Sequence, residues 1–105
     1  MGAKIRNNTV SIDADAETKI SVGILDIQLR DEYNEPFEIT GNIFNVAPKT
    51  YCPAINLRQV EATAAAPMLV ANNVINIASL NASYSGIKLN GTKVKNLNIA
   101  HNTIR

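Results

Sequence analysis

The sequence predicts an all-β protein that folds as a parallel β-helix (β-solenoid) of slightly more than three coils. Three observations lead to this prediction. A short strand phrase recurs four times, a turn-forming residue and an asparagine divide each copy, and a second strand phrase recurs between the copies. A period of about 30 residues with strand-like phrases is typical of solenoids in which each coil covers the apolar face of the next.

The first strand phrase is built around a shared asparagine. Its copies read IRNNTVSI, ITGNIFNV, VANNVINI and IAHNTIR, and they align Asn8, Asn42, Asn73 and Asn102 at spacings of 34, 31 and 29 residues. Large apolar residues occupy the columns three before, two after and four after this asparagine: Ile5, Ile39, Val70 and Ile99; Val10, Phe44, Ile75 and Ile104; Ile12, Val46 and Ile77. Apolar residues that alternate with period two predict strands with one buried face.

The column just before the asparagine predicts a sharp turn. It holds Asn7, Gly41, Asn72 and His101. Glycine adopts positive φ without steric cost, and Asn and His are enriched there among the other residues. If each copy turns at this position, the following asparagines stack along one axis and their amides bond to one another, which predicts an asparagine ladder.

The second strand phrase reads GILDIQL, AINLRQV and GIKLNGT. It aligns Leu25 and Ile27 with Ile55 and Leu57, and with Ile87 and Leu89. The run TKVKNLNI (92–99) predicts a further short strand that leads into the last copy, and the segments DADAETK, APKTYCP and ASLNASYS predict loops. Helical repeats are disfavoured because Asn, Thr, Val and Ile favour strands and turns, and no apolar stripe of helical period is present.

Composition limits the classes of protein to which the chain can belong. It has 105 residues and a formal net charge of +1. The basic residues are scattered and Trp is absent, so no nucleic-acid footprint is visible. The N-terminus has no apolar signal-peptide region and no run approaches the ~20 apolar residues of a membrane span, so we expect no membrane partner. We expect residues 1–105 to form a single β-helix module excised from a longer chain, because the sequence stops inside the recurring phrase.

The phrases KIRNNTVSI, EITGNIFNV, NNVINI and SGIKLNGTKVKNLNIAHNTI resemble the coils of the pectate-lyase-like superfamily of right-handed parallel β-helix proteins. That superfamily includes bacteriophage tailspikes, polysaccharide lyases, polygalacturonases and alginate epimerases. The resemblance implies a polysaccharide as ligand, an extracellular or virion (tail) location for the parent protein, and a homo-oligomer such as the side-by-side homotrimer of tailspikes. It covers nearly the whole chain, but many activities share this scaffold.

Candidate carbohydrate contacts come from the strands and the loops that precede them. Arg58 and Lys88, with Arg30, stand at roughly corresponding places of the second phrase and predict a basic stripe that an acidic polymer could contact. Tyr51 and Tyr84 precede that phrase and could stack on sugar rings, although loop tyrosines also serve as half-buried anchors. The outward columns of the first phrase, such as Ser11, Asn45 and Asn76, could bind sugars or merely keep a half-exposed sheet soluble.

Catalysis would need carboxylates, and the densest group is Asp13, Asp15 and Glu17. Their alternation in a loop would suit Ca²⁺ or a glycosidic oxygen, as a polysaccharide lyase or glycoside hydrolase requires, while a solvated loop has the same composition. The chain lacks the lyase and polygalacturonase signatures of the superfamily. We therefore expect a structural and recognition module without a cofactor or a metal, and we retain the catalytic alternative.

Overall fold

Twelve strands and no helix make up the part of the chain that the structure describes. The structure is a computed structural model, and it describes residues 2–12, 24–46, 53–77 and 86–105. The predicted loops lie almost wholly outside these residues. In chain order the strands are β1 Ala3–Arg6, β2 Thr9–Ile12, β3 Leu25–Tyr33, β4 Phe37–Thr40, β5 Ile43–Val46, β6 Ile55–Ala62, β7 Met68–Ala71, β8 Val74–Ile77, β9 Ile87–Leu89, β10 Val94–Lys95, β11 Leu97–Ala100 and β12 Thr103–Ile104.

These strands form three parallel sheets. The first sheet has the order β1-β4-β7-β11 and the second has the order β2-β5-β8-β12. In the third sheet β6 pairs with β3 on one side and with both β9 and β10 on the other. Strands that are neighbours in a sheet are thus separated along the chain by strands of the other two sheets. This confirms the all-β prediction with parallel pairing. We call β1–β3, β4–β6, β7–β10 and β11–β12 the first to fourth repeats.

The strand register confirms the alignment of both phrases. Ile5 pairs with Ile39, Ile39 with Val70, and Val70 with Ile99. The other apolar columns pair in the same way, including Val10–Phe44–Ile75–Ile104 in the second sheet and Leu25–Ile55–Ile87 in the third. A one-residue slip would turn every apolar side chain to the other face, so the pattern specifies this register strongly.

The apolar columns form the core. The second and third repeats contribute its completely or almost completely buried members, among them Ile39, Phe44, Ile55, Leu57, Val60, Met68, Val70 and Ile75. Each such side chain contributes roughly 1.5–3 kcal/mol by leaving water. Residues of the first repeat, such as Ile5 and Val10, pack against this core and are half-buried. Burial is therefore greatest where a repeat has a neighbour on both sides.

The turn column has positive φ in every copy, as predicted. Asn7, Asn72 and His101 have φ values of 55°, 56° and 56°, and Gly41 has 67°. One left-handed residue and the asparagine after it join each strand of the first sheet to a strand of the second. The chain therefore changes direction by the same backbone geometry in all four repeats.

The four aligned asparagines are joined by hydrogen bonds. We call Asn8, Asn42, Asn73 and Asn102 the amide row. The Nδ2 of each member donates to the Oδ1 of the next, at 3.1, 3.0 and 2.9 Å. The backbone N–H of the same residue donates to the same Oδ1 at 3.0 Å in all three steps.

The amide row also bonds to the strands before the turn. The Nδ2 groups of Asn42, Asn73 and Asn102 donate to the carbonyls of Ile5, Ile39 and Val70, each at 2.9 Å. Asn42 and Asn73 are buried, with exposures of 1% and 0%. A buried amide without partners would be costly, so these bonds are what permits the row to lie inside the fold.

The run at 92–99 differs from the single strand that the sequence predicts. Asn96 has a φ of 57° and separates β10, which pairs with the third sheet, from β11, which pairs with the first. The Nδ2 of Asn96 donates to the carbonyl of Ala62 at 3.1 Å and holds this bend. Alternation of apolar residues did not reveal the bend, because asparagine is compatible with either conformation.

We predict that Asn73→Ala lowers the free energy of unfolding by about 3 kcal/mol. The substitution leaves the carbonyl of Ile39 and the backbone N–H of Asn42 without side-chain partners in a buried place, and each such loss costs ~1–3 kcal/mol. Asn45→Ala is the matched control, since the hydrogen bonds of the Asn45 side-chain amide lie on the outer face. We expect this variant to lose less than ~1 kcal/mol of unfolding free energy. Equal losses in urea unfolding would contradict a special role for the row.

We predict opposite responses at two aligned turn positions. Gly41→Val should destabilise the fold by about 1–3 kcal/mol, because a β-branched residue is strained at φ 67° and an added Cβ would lie 2.4 Å from the Asn7 Oδ1. Asn72→Gly introduces a residue that adopts the left-handed conformation without steric cost, so it should change the free energy of unfolding by less than ~1 kcal/mol. Thermal unfolding followed by circular dichroism measures both, and a tolerated Gly41→Val would show that the turn conformation is not required.

Candidate functional site

A group of polar residues crosses the outer face of the third sheet. The register places Asp26 of β3, Asn56 of β6 and Lys88 of β9 opposite one another. The neighbours of Asn56 in β6, Ile55 and Leu57, point into the core, so the alternation of a strand turns Asn56 to the outer face. The polar strip, as we call it, consists of Asp26, Asn56, Arg58 and Lys88.

A β-bulge positions Arg58 in the strip. Ile27 pairs with Leu57 but Gln28 pairs with Gln59, so Arg58 is an additional residue in β6. Bulges re-aim side chains in this way. The Arg58 Nε donates to the Asp26 Oδ1 at 2.9 Å. This bond does not use the two terminal nitrogens of the guanidinium, which have the geometry to bind a carboxylate or sulfate with two parallel bonds.

The chain that follows β9 packs tightly against this bulge. The Asn90 N–H donates to the Leu57 carbonyl at 2.8 Å. A Cβ at Gly91 would lie 1.9 Å from the Arg58 carbonyl oxygen, so only glycine permits this approach. The backbone at Arg58 is therefore held closely by the chain that follows β9.

Asn56 is the buried member of the strip. Only 3% of it is exposed, and its Nδ2 donates to the Asp26 Oδ1 at 3.3 Å. That bond assigns the orientation of the amide, because the reverse orientation would place two oxygens together. Its Oδ1 is buried and has no hydrogen-bond partner among the described residues. An unsatisfied buried acceptor costs ~1–3 kcal/mol, so this amide lowers the stability of the sheet around it.

The charge of the strip is net positive, with two cations and one carboxylate. The side chains of Arg58 and Asp26 are 48% and 23% exposed. An ion pair with this exposure contributes up to ~1 kcal/mol, since water screens it. The pair can therefore be exchanged for a stronger one with an anionic ligand at small cost.

The outward side chains of the second sheet bond mainly to one another. The Asn76 Nδ2 donates to the Asn45 Oδ1 at 2.9 Å, and the Asn45 Nδ2 donates to the Ser11 Oγ at 3.2 Å. Ile43 in the same sheet presents an apolar side chain to solvent. These polar groups satisfy each other, which favours a structural role over ligand contact for this face.

Glu61 forms a separate acidic centre beside the strip. Its carboxylate accepts bonds from the Gln59 Nε2 at 2.7 Å and from the backbone N–H of Asp31 at 3.3 Å, and the Lys93 Nζ lies 3.6 Å away. Asp31 and Glu32 have φ values of 59° and 51°, so the carboxylate holds a left-handed bend of β3. The Gln59 hydrogen bond, aided by Asp31 and Lys93 against a smaller effect of burial, lowers the pKa of Glu61.

The structure brings two of the predicted contact residues together. Arg58 and Lys88 both belong to the polar strip. Arg30 does not complete a basic stripe with them. It lies one residue beyond the pair Leu29–Val60 along β3, whereas Lys88 of β9 lies in the same row of the sheet as Asp26. The bulge at Arg58 breaks the spacing on which that expectation depended. The candidates Asp13, Asp15, Glu17, Tyr51 and Tyr84 lie outside the described residues.

Sequence reasoning missed Asp26 and Asn56 as members of the site. No motif distinguishes Asp26 from the other acids of the sequence. The aligned second phrase contains a signal for both residues. The triplets LDI, INL and IKL each have a polar residue between two apolar ones, and these polar residues are Asp26, Asn56 and Lys88. That column, lying between two apolar columns, must point outward and form a row across the sheet.

Comparison with known proteins returns no match among protein-family models, curated proteins or solved structures. Among the described residues there is no group of three or more His, Cys, Asp or Glu side chains placed to hold a metal ion. The same part of the chain contains no helix that could span a membrane. The polar strip is therefore interpreted from its own chemistry.

We predict that Glu61→Gln reduces the amount of stability that the protein loses as the pH falls. Because the pKa of Glu61 is lowered in the folded state, its stabilisation is present above the ordinary value of 4.5 and is lost as the pH falls below it. The variant should be less stable at pH 7 and should lose less on going from about pH 5 to pH 3. The hydrogen bond from Arg6 also lowers the pKa of Glu38, so the variant should still lose some stability at acid pH.

Glu32→Gln is the control for this measurement. Its side chain is 72% exposed and lies 3.9 Å from the Lys95 Nζ, a distance that gives little stabilisation. Melting temperatures are recorded from pH 3 to pH 8 for the wild type and both variants. The assignment is wrong if Glu61→Gln keeps the full acid dependence of the wild type.

Proposed function

We propose that this chain is a parallel β-solenoid in which the amide row acts as an asparagine ladder, and that it serves as a structural and recognition module of a polysaccharide-binding protein. Support for the architecture comes from three parallel sheets whose strands recur in the same order, with one turn geometry throughout. A stack of this kind presents flat, extended outer faces. We propose an extracellular or virion-associated parent such as a phage tailspike, and a homo-oligomeric assembly.

The observation that supports recognition is the polar strip. Two cations and a carboxylate share one outer face. Sugars offer hydroxyl donors and acceptors, and uronates or sulfated sugars add negative charge. Arg58 suits a carboxylate or sulfate, and Asp26 suits a hydroxyl group. An acidic polysaccharide is therefore the ligand class that this chemistry fits best.

We predict that the protein binds an acidic polysaccharide and that Arg58→Ala and Lys88→Ala each weaken binding about tenfold. A charge-assisted hydrogen bond contributes ~1.5–3 kcal/mol, which corresponds to that factor or more. Titration calorimetry with polygalacturonate, alginate and a neutral glucan measures affinity. Lys4→Ala is the matched control, because it removes one exposed cation from the outer face of the first sheet and should leave affinity unchanged.

The outcomes separate specific recognition from its alternatives. If Lys4→Ala weakens binding as much as Arg58→Ala, the interaction is diffuse charge attraction and the strip is not the site. Absence of binding to every polymer would refute the proposal. Both the ultraviolet absorbance of unsaturated uronates and new reducing ends are followed during the titrations. Product formation that the triple variant Asp13→Asn, Asp15→Asn, Glu17→Gln abolishes would replace this proposal by a lyase or hydrolase.

A further inference from the structure

Two further lysines extend the positive charge of the third sheet beyond the polar strip. Val94 of β10 pairs with Val60, which belongs to the core. The alternation of the strand therefore turns the flanking Lys93 and Lys95 to the outer face. Their side chains are 63% and 56% exposed. The outer face thus carries cations along most of the length of β6.

The cations and the acids of this face lie in two neighbouring rows. The basic row, as we call it, consists of Lys88, Arg58, Lys93 and Lys95, and it follows β9 and β10 with Arg58 beside them on β6. The acids belong to β3 and β6, whereas residues 62–105 contain no acid. Three ion pairs join the two rows: Arg58–Asp26 at 2.9 Å, Lys93–Glu61 at 3.6 Å and Lys95–Glu32 at 3.9 Å.

This distribution of charge favours one orientation of a polyanion on the sheet. A polyanion that crossed the strands at the level of Lys88 would pass over the carboxylate of Asp26. A polyanion that crossed at the level of Lys95 would pass over Glu61. Like charges in contact are costly, so the acids disfavour both of these paths. A polyanion parallel to the strands contacts the cations one after another and leaves the acids to one side.

The basic row is longer than one charged sugar. Lys88 is level with Asn56, and Lys95 is level with Glu61, five residues further along β6. At ~3.3 Å per residue, and with one residue taken up by the bulge, the row spans about 13–16 Å. A disaccharide is shorter than this span. A ligand that contacts both ends of the row must therefore be an oligomer.

The existing ion pairs leave the cations accessible to such a ligand. In the pairs of Arg58 and Lys93 the cation is the more exposed partner, because the acids Asp26 and Glu61 are only 23% and 12% exposed. The two lysine pairs are also longer than charge-assisted hydrogen bonds. Exposed pairs of this kind are screened by water and contribute little stability. Each cation can therefore bind an anion on its exposed side.

We propose that a linear chain of anionic sugars binds along the basic row, parallel to the strands, and occupies two subsites. The first subsite is at Arg58 and Lys88, and the second is at Lys93 and Lys95. Arg58 offers two parallel donors to a carboxylate, while the lysines offer compact charges. This inference rests on the proposed function and deepens it, because it gives the direction and the minimum length of the polysaccharide.

A series of oligogalacturonates of two to eight units tests the second subsite. The double variant Lys93→Ala, Lys95→Ala removes its two cations. The matched control is Lys4→Ala, Arg6→Ala, which removes two exposed cations at the same spacing from the outer face of the first sheet. One cation of the control pair is likewise bonded to a glutamate. Titration calorimetry measures affinity at constant ionic strength, and circular dichroism verifies that each variant is folded.

Two subsites predict a specific dependence on length. The affinity of the wild type should rise with the number of units until the oligomer spans both subsites, and should then level off. The variant that lacks Lys93 and Lys95 should bind the octamer about tenfold more weakly and the dimer with unchanged affinity. Arg58→Ala should weaken the binding of both. If the alanine variant is unfolded, Lys93→Gln, Lys95→Gln removes the same charges with longer side chains.

Three results would overturn this inference. An octamer that binds the wild type no more tightly than the dimer shows that one subsite is present. An equal loss in the control variant shows diffuse attraction between charges. Single-stranded oligothymidylate of the same charge that binds as tightly as the octamer shows a general site for polyanions. In the first two cases, binding of the dimer through Arg58 leaves the proposed function standing, whereas absence of binding by every oligomer refutes the proposed function itself.

Discussion

The fold depends on one repeated constraint, a left-handed residue followed by an asparagine whose amide bonds to the asparagines before and after it. The left-handed residue turns the chain from the first sheet to the second. The asparagine then satisfies backbone groups that the turn would otherwise leave buried and unpaired. Because the bonds run between repeats, they set the register of neighbouring strands, and the apolar columns meet as a consequence. A buried polar row of this kind gives specificity, since any other register leaves amides unsatisfied.

Stability is distributed unevenly along this arrangement. The strands of the second repeat, with β7 and β8, have neighbours on both sides, and their core-facing apolar residues such as Phe44, Leu57 and Val70 are almost completely withdrawn from water. The first and fourth repeats have a neighbour on one side within the described residues, and the same residue types remain partly exposed there. In repeat proteins stability is approximately a sum of repeat and interface contributions. Within the described residues, the central strands therefore contribute most of the buried apolar surface.

The outer faces of the second and third sheets differ in how fully their polar side chains are hydrogen-bonded. Asn45, Asn76 and Ser11 bond to one another, so the second sheet needs no ligand. On the third sheet the bulge at Arg58 interrupts the regular ladder and brings a guanidinium beside Asp26, while the Asn56 Oδ1 has no partner among the described residues. Local irregularity in an otherwise regular array is a common mark of function. The polar strip is accordingly the face on which recognition is proposed.

The sequence by itself determined the all-β class, the parallel pairing, the columns of both phrases and the positive φ at Asn7, Gly41, Asn72 and His101, because period-two alternation and turn chemistry are local properties of the chain. Tertiary structure decided which polar residues share a face. The bulge at Arg58, the bend at Asn96 and the union of Asp26, Asn56 and Lys88 depend on how strands about 30 residues apart are aligned in space. The burial of the Asn56 oxygen depends on what lies next to it in space, which the order of the residues does not express.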